Sequence, residues 1–133
     1  MKLEIVTPEK TITEENIKFV SMEGKDGSFG VLPGHMPLIA ELKIAPMYFR
    51  KDKETEFIAV MGGIARVLSD TVTIVTEGAE RATEIDVLTA KKEKEAAEAY
   101  LSRKAEISDI LKAEAELHKA LTRLKVVEVS KRI

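Results

Sequence analysis

The stretch TEGAERATEIDVLTAKKEKEAAEAY, residues 76–100, contains the change of material on which the fold turns. Gly78, near its start, is the last glycine of the chain, and from Asp86 to Ile133 there is neither Gly nor Pro. All seven Gly, all four Pro and all four Phe lie between Pro8 and Gly78. Gly and Pro punctuate turns, whereas the Ala, Glu, Lys and Leu that replace them are strong helix formers. Residues 1–85 are therefore expected to be β and residues 86–133 α.

Upstream of the change, short apolar runs recur between turn signals. Leu3–Val6 precedes Thr7-Pro8-Glu9, and Ile17–Met22 alternates Lys18, Val20 and Met22 against Phe19 and Ser21. Phe57–Val60 runs into Gly62-Gly63, a bulge or bend signal, and Ile64–Leu68 and Val72–Val75 flank Ser69-Asp70-Thr71, a short hairpin connection. Many short strands with no helical segment between them predict an antiparallel sandwich or barrel rather than βαβ units. Its core would be built from Val, Ile, Leu and Met.

Downstream, the sequence reads as two helices. Asp86 is placed to cap the first, its carboxylate accepting from free amides of the first turn. Leu88, Ala96, Ala97, Tyr100 and Leu101 mark one narrow face. The pattern breaks around Glu106-Ile107-Ser108-Asp109, where Ser108 or Asp109 could cap a second helix. Ile110, Ala113, Leu117, Leu121 and Leu124 then follow at spacings of three and four, an amphipathic stripe. Stripes this narrow predict a helical hairpin zipped along alanine faces, or helices that dock on something else.

The chain has 133 residues with 21 Lys+Arg against 23 Asp+Glu, a formal net charge of −2. Near-neutrality argues against a general nucleic-acid binder. The absence of Cys excludes disulfides, Cys-ligated zinc, iron–sulfur clusters and thiol catalysis. No apolar run approaches the ~18 residues that span a bilayer, and MKLEIVTPEK has no secretory apolar core. A soluble, non-exported protein without direct membrane insertion is expected. With no Gln, one Asn (Asn16) and many Lys and Glu, the composition is that of heat-adapted proteins. The charge is unevenly spread: residues 1–85 carry a net −4 and residues 86–133 a net +2.

No catalytic constellation stands out. His118 lies on the charged helix and reads as solvated, while His35 sits in the dense turn Leu32-Pro33-Gly34-His35-Met36-Pro37, where a structural or surface role competes with partner contact. Gly24-Lys25-Asp26-Gly27-Ser28-Phe29-Gly30 lacks the phosphate-loop spacing and reads as a hairpin loop. Ser28 has no base partner, and paired acids such as Glu14-Glu15 are commonplace among 18 Glu. Lys112, Lys119, Arg123, Lys125, Lys131 and Arg132 on the last helix form either a solvated face, supported by the Glu128–Arg132 spacing, or a docking surface for an acidic partner.

The segment EGKDGSFGVLPGHMPLIAEL, residues 23–42, resembles the signature of the ε subunits of F-type ATP synthases, roughly G-x-x-G-x-x-G-x-x-P-G-H-x-P-L. Gly24, Gly27, Gly30, Pro33, Gly34, His35, Pro37 and Leu38 stand where that pattern wants them. Ile5–Glu9, Phe57–Ile64 and Leu121–Val126 agree as well, so the resemblance covers essentially the whole chain. It implies a β-sandwich of about ten short antiparallel strands, residues 1–85, followed by a two-helix regulatory hairpin, residues 86–133. It implies a non-catalytic central-stalk subunit that couples a membrane c-ring to γ during proton- or sodium-driven ATP synthesis. Such a subunit lies peripherally at the cytoplasmic face of the cell membrane.

By the same resemblance, Ser28 and His35 are rotor contacts toward γ and the c-ring. The hairpin is expected either folded on the sandwich or extended toward the α and β subunits, where Lys119, Arg123 and Lys125 would meet an acidic β-subunit segment and restrain ATP hydrolysis. Some members bind regulatory ATP through [IL]-D-x-x-R-A. Ile85, Asp86 and Ala90 match, but Thr89 stands at the arginine, and a hydroxyl cannot supply that charge or its bidentate phosphate contact. No cofactor is therefore expected. Leu42-Lys43-Ile44-Ala45-Pro46 departs from the glycine-bearing turn of the family. The rival readings are a stand-alone ligand-binding sandwich with a helical oligomerisation tail and, more remotely, an enzyme.

Overall fold

The run Phe57–Leu68 does not end at Gly62-Gly63 but bends there and continues. In the computed structural model, which describes residues 1–103 and 106–132, the chain forms eight strands: β1 (Lys2–Val6), β2 (Thr11–Glu14), β3 (Phe19–Gly24), β4 (Gly27–Val31), β5 (Leu38–Lys51), β6 (Glu54–Leu68), β7 (Thr71–Val75) and β8 (Ala79–Arg81). A single turn of 3-10 helix, Ala82–Glu84, leads into α1 (Val87–Leu101) and α2 (Ile107–Ser130). The strands hydrogen-bond in the order β2-β1-β7-β6-β5-β3-β4, with β8 also on β6. Both the sandwich and the helical pair expected from the composition shift are present. Among the described residues the strands number eight rather than about ten, because β5 and β6, 14 and 15 residues long, run unbroken through both layers. One pairing, β1 with β7, is parallel.

The bend is visible in the side-chain phase. Inward positions on β6 are Ile58 and Val60 before it, and Ala65 and Val67 after it. The odd spacing from 60 to 65 means that the strand changes face while passing from one layer to the other. On β5 the same slip separates Leu42 from Ala45, Met47 and Phe49. Leu42 pairs with Gly63 and Ile44 with Met61, so the ladder skips Lys43 and Gly62. Gly62 and Gly63 have φ of +78° and +117°. A Cβ on Gly63 would lie 2.1 Å from the Val75 carbonyl oxygen, whereas one on Gly62 would meet nothing closer than 3.5 Å.

Leu42–Pro46, expected as an atypical turn, is therefore strand. Pro46 sits where the β3–β5 ladder is interrupted between Ser21 and Gly24. Proline has no N–H to donate, so the interruption costs the ladder nothing there. The core unites both layers: Leu3, Ile5, Val72 and Ile74 from one, Val20, Met22, Met47, Phe49 and Ile58 from the other. The Ser69-Asp70 hairpin is as read, with φ of +50° and +60°, the geometry of a type I′ turn.

Asp86 caps α1, its side chain accepting from the Thr89 amide at 3.1 Å. The second cap differs from the expectation. Glu106 precedes α2, and Ser108 and Asp109 already lie in its first turn, where Asp109 favours the positive helix end. The buried faces agree with the expected ones at Ala97 and Ala113 and differ elsewhere. On α1 they centre on Ala90 and Ala97, and Leu88 is 63% exposed. On α2 the buried residues are Ala113, Ala120, Thr122 and Val126, and Leu121 points outward. α2 packs against both α1 and the sheet, so its buried arc is wider than one stripe and recruits small residues. Val126 closes a second cluster with Ala59 and Met61, flanked by Ile44, Phe57, Ala82 and Ile85. Among the described residues no helix is long and apolar enough to cross a membrane.

The bend makes two adjacent glycines unequal. Gly63→Ala is expected to destabilise the fold by about 3 kcal/mol or more, because backbone must move. Gly62→Ala should cost about 1 kcal/mol, the strain of a positive φ alone. Denaturant unfolding of the two variants separates them, and equal losses would refute this account of the bend.

Candidate functional site

Candidate contact residues gather in two regions: the loop between β4 and β5, and the face of α2 that meets β8. In the loop, the His35 amide donates to the Leu32 carbonyl at 3.1 Å, and His35 Nδ1 lies 2.6 Å from the Met36 carbonyl oxygen, to which it donates. Gly34 takes a φ of +83°, and its amide donates to Asp70 Oδ1 at 3.1 Å. The strained β6–β7 turn thus anchors the loop from outside. What the loop presents is apolar: Leu32 is 60% and Met36 78% exposed, beside the exposed His35 ring. Ser28 is also exposed, but it stands at the start of β4 opposite Glu23, next to the Lys25-Asp26 turn. His35 follows the other end of that strand, and no hydrogen bond links the two residues among those described.

A row of outward apolar side chains, not singled out from sequence, continues from this loop. β6 pairs Ile64 with Val75, Leu68 with Thr71 and Arg66 with both Ile39 and Thr73, so Ile39, Ile64, Leu68 and Val75 share one sheet face. They are 72%, 53%, 47% and 57% exposed. The signal was present in Ile64-Ala65-Arg66-Val67-Leu68, where Ala65 and Val67 line the inward face while Ile64 and Leu68, on either side of Arg66, put apolar side chains on the outward one.

On α2, two of the three predicted partner-contact cations are already occupied. Lys119 Nζ lies 2.6 Å from Glu77 and 3.7 Å from Glu116. Arg123 Nε donates to both carboxylate oxygens of Glu80, at 2.9 and 3.1 Å, and its Nη1 donates to Glu93 at 3.1 Å. Hydrogen bonding to Glu77 holds the Lys119 pKa above its ordinary value, against the cost of burial. For Arg123 burial opposes the charge most, and Glu80 and Glu93 overcome it, leaving its pKa raised. Lys125 is exposed and carries no ion pair among the described residues. The expected Glu128–Arg132 pair is present. His118 is exposed, as read.

The three residues that match the nucleotide motif have structural roles. Ile85 packs beside the Val126 cluster, Asp86 caps α1, and Ala90 is 1% exposed. Thr89, in the arginine's place, is exposed. The acids Glu77, Glu80 and Glu93 were invisible as a group, since sequence distance hides that β8, the turn before it and α1 bring them to one guanidinium and one ammonium. Among the described residues no three His, Asp or Glu side chains are arranged to hold a metal.

Two outcomes follow. Asp70→Ala should speed hydrogen exchange at the Gly34 amide about tenfold, the loss of a charge-assisted bond. Asp70→Asn keeps an acceptor and tolerates positive φ, so it should stay within about threefold. The Asp86 carboxyl is held below its ordinary pKa chiefly by the Thr89 amide. Its contribution is therefore full above the unfolded value of about 4 and is lost as pH falls through the lower folded value. Wild type should exceed Asp86→Asn in stability at pH 6, and the difference should shrink as pH falls below about 4 in denaturant unfolding.

Comparisons with known proteins agree along the chain. The family model for the beta-sandwich domain of the ATP synthase Delta/Epsilon chain matches residues 1–82, and that for its long alpha-helix domain matches residues 83–128. The ATP synthase epsilon chain of Syntrophobacter fumaroxidans is 44% identical over 128 residues, covering 96% of each chain. That of Bacillus licheniformis is 41% identical over 126 residues, covering 95% of this chain and 96% of the relative. Among solved structures, a chain in the OSCP/F1/c-ring assembly of Euglena gracilis mitochondrial ATP synthase superposes with a TM-score of 0.79 at 21% identity, over 96% of this chain and 79% of that one. A chain of the Tetrahymena thermophila central stalk and c-ring gives 0.63 at 14% identity, over 96% of each. At those identities the structures speak for the fold, while the family models and curated relatives decide the family. The chain belongs to the ATP synthase delta/epsilon family and is of the epsilon type.

Proposed function

We propose that this chain is a non-catalytic subunit of the central stalk of an F-type ATP synthase, bound peripherally at the cytoplasmic face of the membrane. Residues 1–85 form its rotor-binding domain and residues 86–133 a regulatory domain. The observation that carries the reading is the loop Leu32–Pro37, which is exposed and apolar at its tip yet braced by Asp70. A braced apolar loop running into a sheet face that exposes four apolar side chains around Arg66 suits permanent contact with another subunit. His35 and Ser28 are assigned to the contact with γ and the c-ring, and Ile39, Ile64, Leu68 and Val75 extend it.

The helical domain is assigned a restraint on ATP hydrolysis through contact with the α and β subunits. Lys119, Arg123 and Lys125 would meet an acidic β-subunit segment when the hairpin leaves the sandwich. Lys119 and Arg123 hold acids in the docked form, which supports an affinity of this face for carboxylates. No cofactor is assigned, and with Thr89 in place of the arginine regulatory ATP has no bidentate phosphate ligand at that position.

Size-exclusion chromatography with the γ subunit tests the stalk role. Co-elution is expected, whereas a stand-alone sandwich would elute by itself. Ending the chain after Asp86 should raise ATP hydrolysis by the assembled enzyme, and unchanged hydrolysis would overturn the restraint. Because removing Lys119 or Arg123 alters the docked form as well, Lys125→Glu is the cleaner probe. It should weaken the restraint while changing the stability of the isolated chain by no more than about 0.5 kcal/mol.

A further inference from the structure

Two ties join α2 to the acidic edge of the sandwich, and they differ in one respect. The Lys119–Glu77 tie ends at the sheet side, apart from the weaker Glu116 contact within α2 itself. The Arg123 tie goes on to a third element, because the guanidinium that holds Glu80 of β8 also holds Glu93 of α1. α1 packs along α2, and α2 in turn packs on β5 and β6. Glu80 has no hydrogen bond or ion pair with α1 among the described residues.

We propose that Arg123 is a coupling residue, through which the seating of α2 on β8 and the closure of α1 onto α2 become linked events. The guanidinium is a rigid planar fork whose Nε edge faces Glu80 while Nη1 faces Glu93. Engaging Glu80 through Nε fixes the long side chain in one rotamer. The rotamer freedom that Glu93 would otherwise have to overcome is then already gone. Each carboxylate thus strengthens the hold of the other, although they sit on different elements. Of the remaining charges facing the junction, Glu116 favours the guanidinium and Lys119 opposes it, both from α2. A lysine at 123 has no fork and would engage one acid without presetting the other. The inference concerns the chain by itself and does not depend on the stalk role.

Native-state hydrogen exchange on the full chain tests it. Glu80→Gln, a change on β8, should speed exchange of the α1 amides around Ala90–Ala97 about two- to fivefold, the usual size of coupling between charges in one network. Glu77→Gln weakens the other tie and is the internal control, so α1 exchange should stay at the wild-type rate. In an Arg123→Lys background, adding Glu80→Gln should leave α1 exchange unaltered. The proposal is overturned if Glu80→Gln leaves α1 at the wild-type rate, if Glu77→Gln moves α1 as much, or if the Glu80 effect survives in Arg123→Lys.

Discussion

Four consecutive side chains of β6, Ile58 to Met61, are buried alternately on the two faces of the sheet, and the rest of the molecule is arranged around that constraint. Ile58 and Val60 point into the sandwich core, while Ala59 and Met61 point the other way, beneath Val126 of α2. A strand buried on both faces must read as a continuous apolar run, which Phe57–Met61 does. Ala59 is small enough to let the helix approach, so the helical pair is positioned by the sheet rather than by its own short linker. At its far end the same strand runs into Ser69-Asp70, the turn that braces the exposed loop. Both regions assigned to partners therefore hang from one strand.

Electrostatics adds a second layer to that arrangement without dominating it. The net −4 of residues 1–85 and the net +2 of residues 86–133 meet where Glu77 and Glu80 face Lys119 and Arg123. These side chains are 20–64% exposed, so each pair contributes about 0–1 kcal/mol and weakens with salt. The Val126 cluster, by contrast, is apolar and nearly dry. Apolar burial sets where α2 lies, and the charges set its register and link it to α1.

How much of this was legible in the sequence depended on whether the signal was local. The change from strands to helices, the Asp86 cap, the Ser69-Asp70 hairpin and the Glu128–Arg132 pair each rest on neighbouring residues, and each was readable. The stripe on α2 held at Ala113 but misled at Leu121, because hydrophobicity alone cannot say that α2 is gripped from two sides and buries Ala120 and Thr122 as well. The long β5 was hidden because the alternation Ala40-Glu41-Leu42-Lys43-Ile44 loses its phase at the bend, where Ala45 rather than Ile44 turns inward. The loop was found through its family-like residues, but its brace lies 36 positions away at Asp70. The acids Glu77, Glu80 and Glu93 were hidden for the same reason: their common neighbours are made by the fold.

The two-part hold on α2 limits what could ever draw it away. Leaving the sheet uncovers Ile44, Phe57, Ala59, Met61 and Ile85 on one side and Val126 on the other, at a cost of about 25 cal/mol for each Å² of apolar surface returned to water. An acidic surface alone could replace Glu77 and Glu80 but not the lost burial. A purely apolar groove could cover Val126 but would leave Lys119 and Arg123 without the two carboxylates that the sandwich supplies. A partner that stabilises the helix off the sandwich must therefore offer an apolar track with acids beside it, spaced as the sandwich spaces its own. The docked state is in this sense a template of the surface that could replace it.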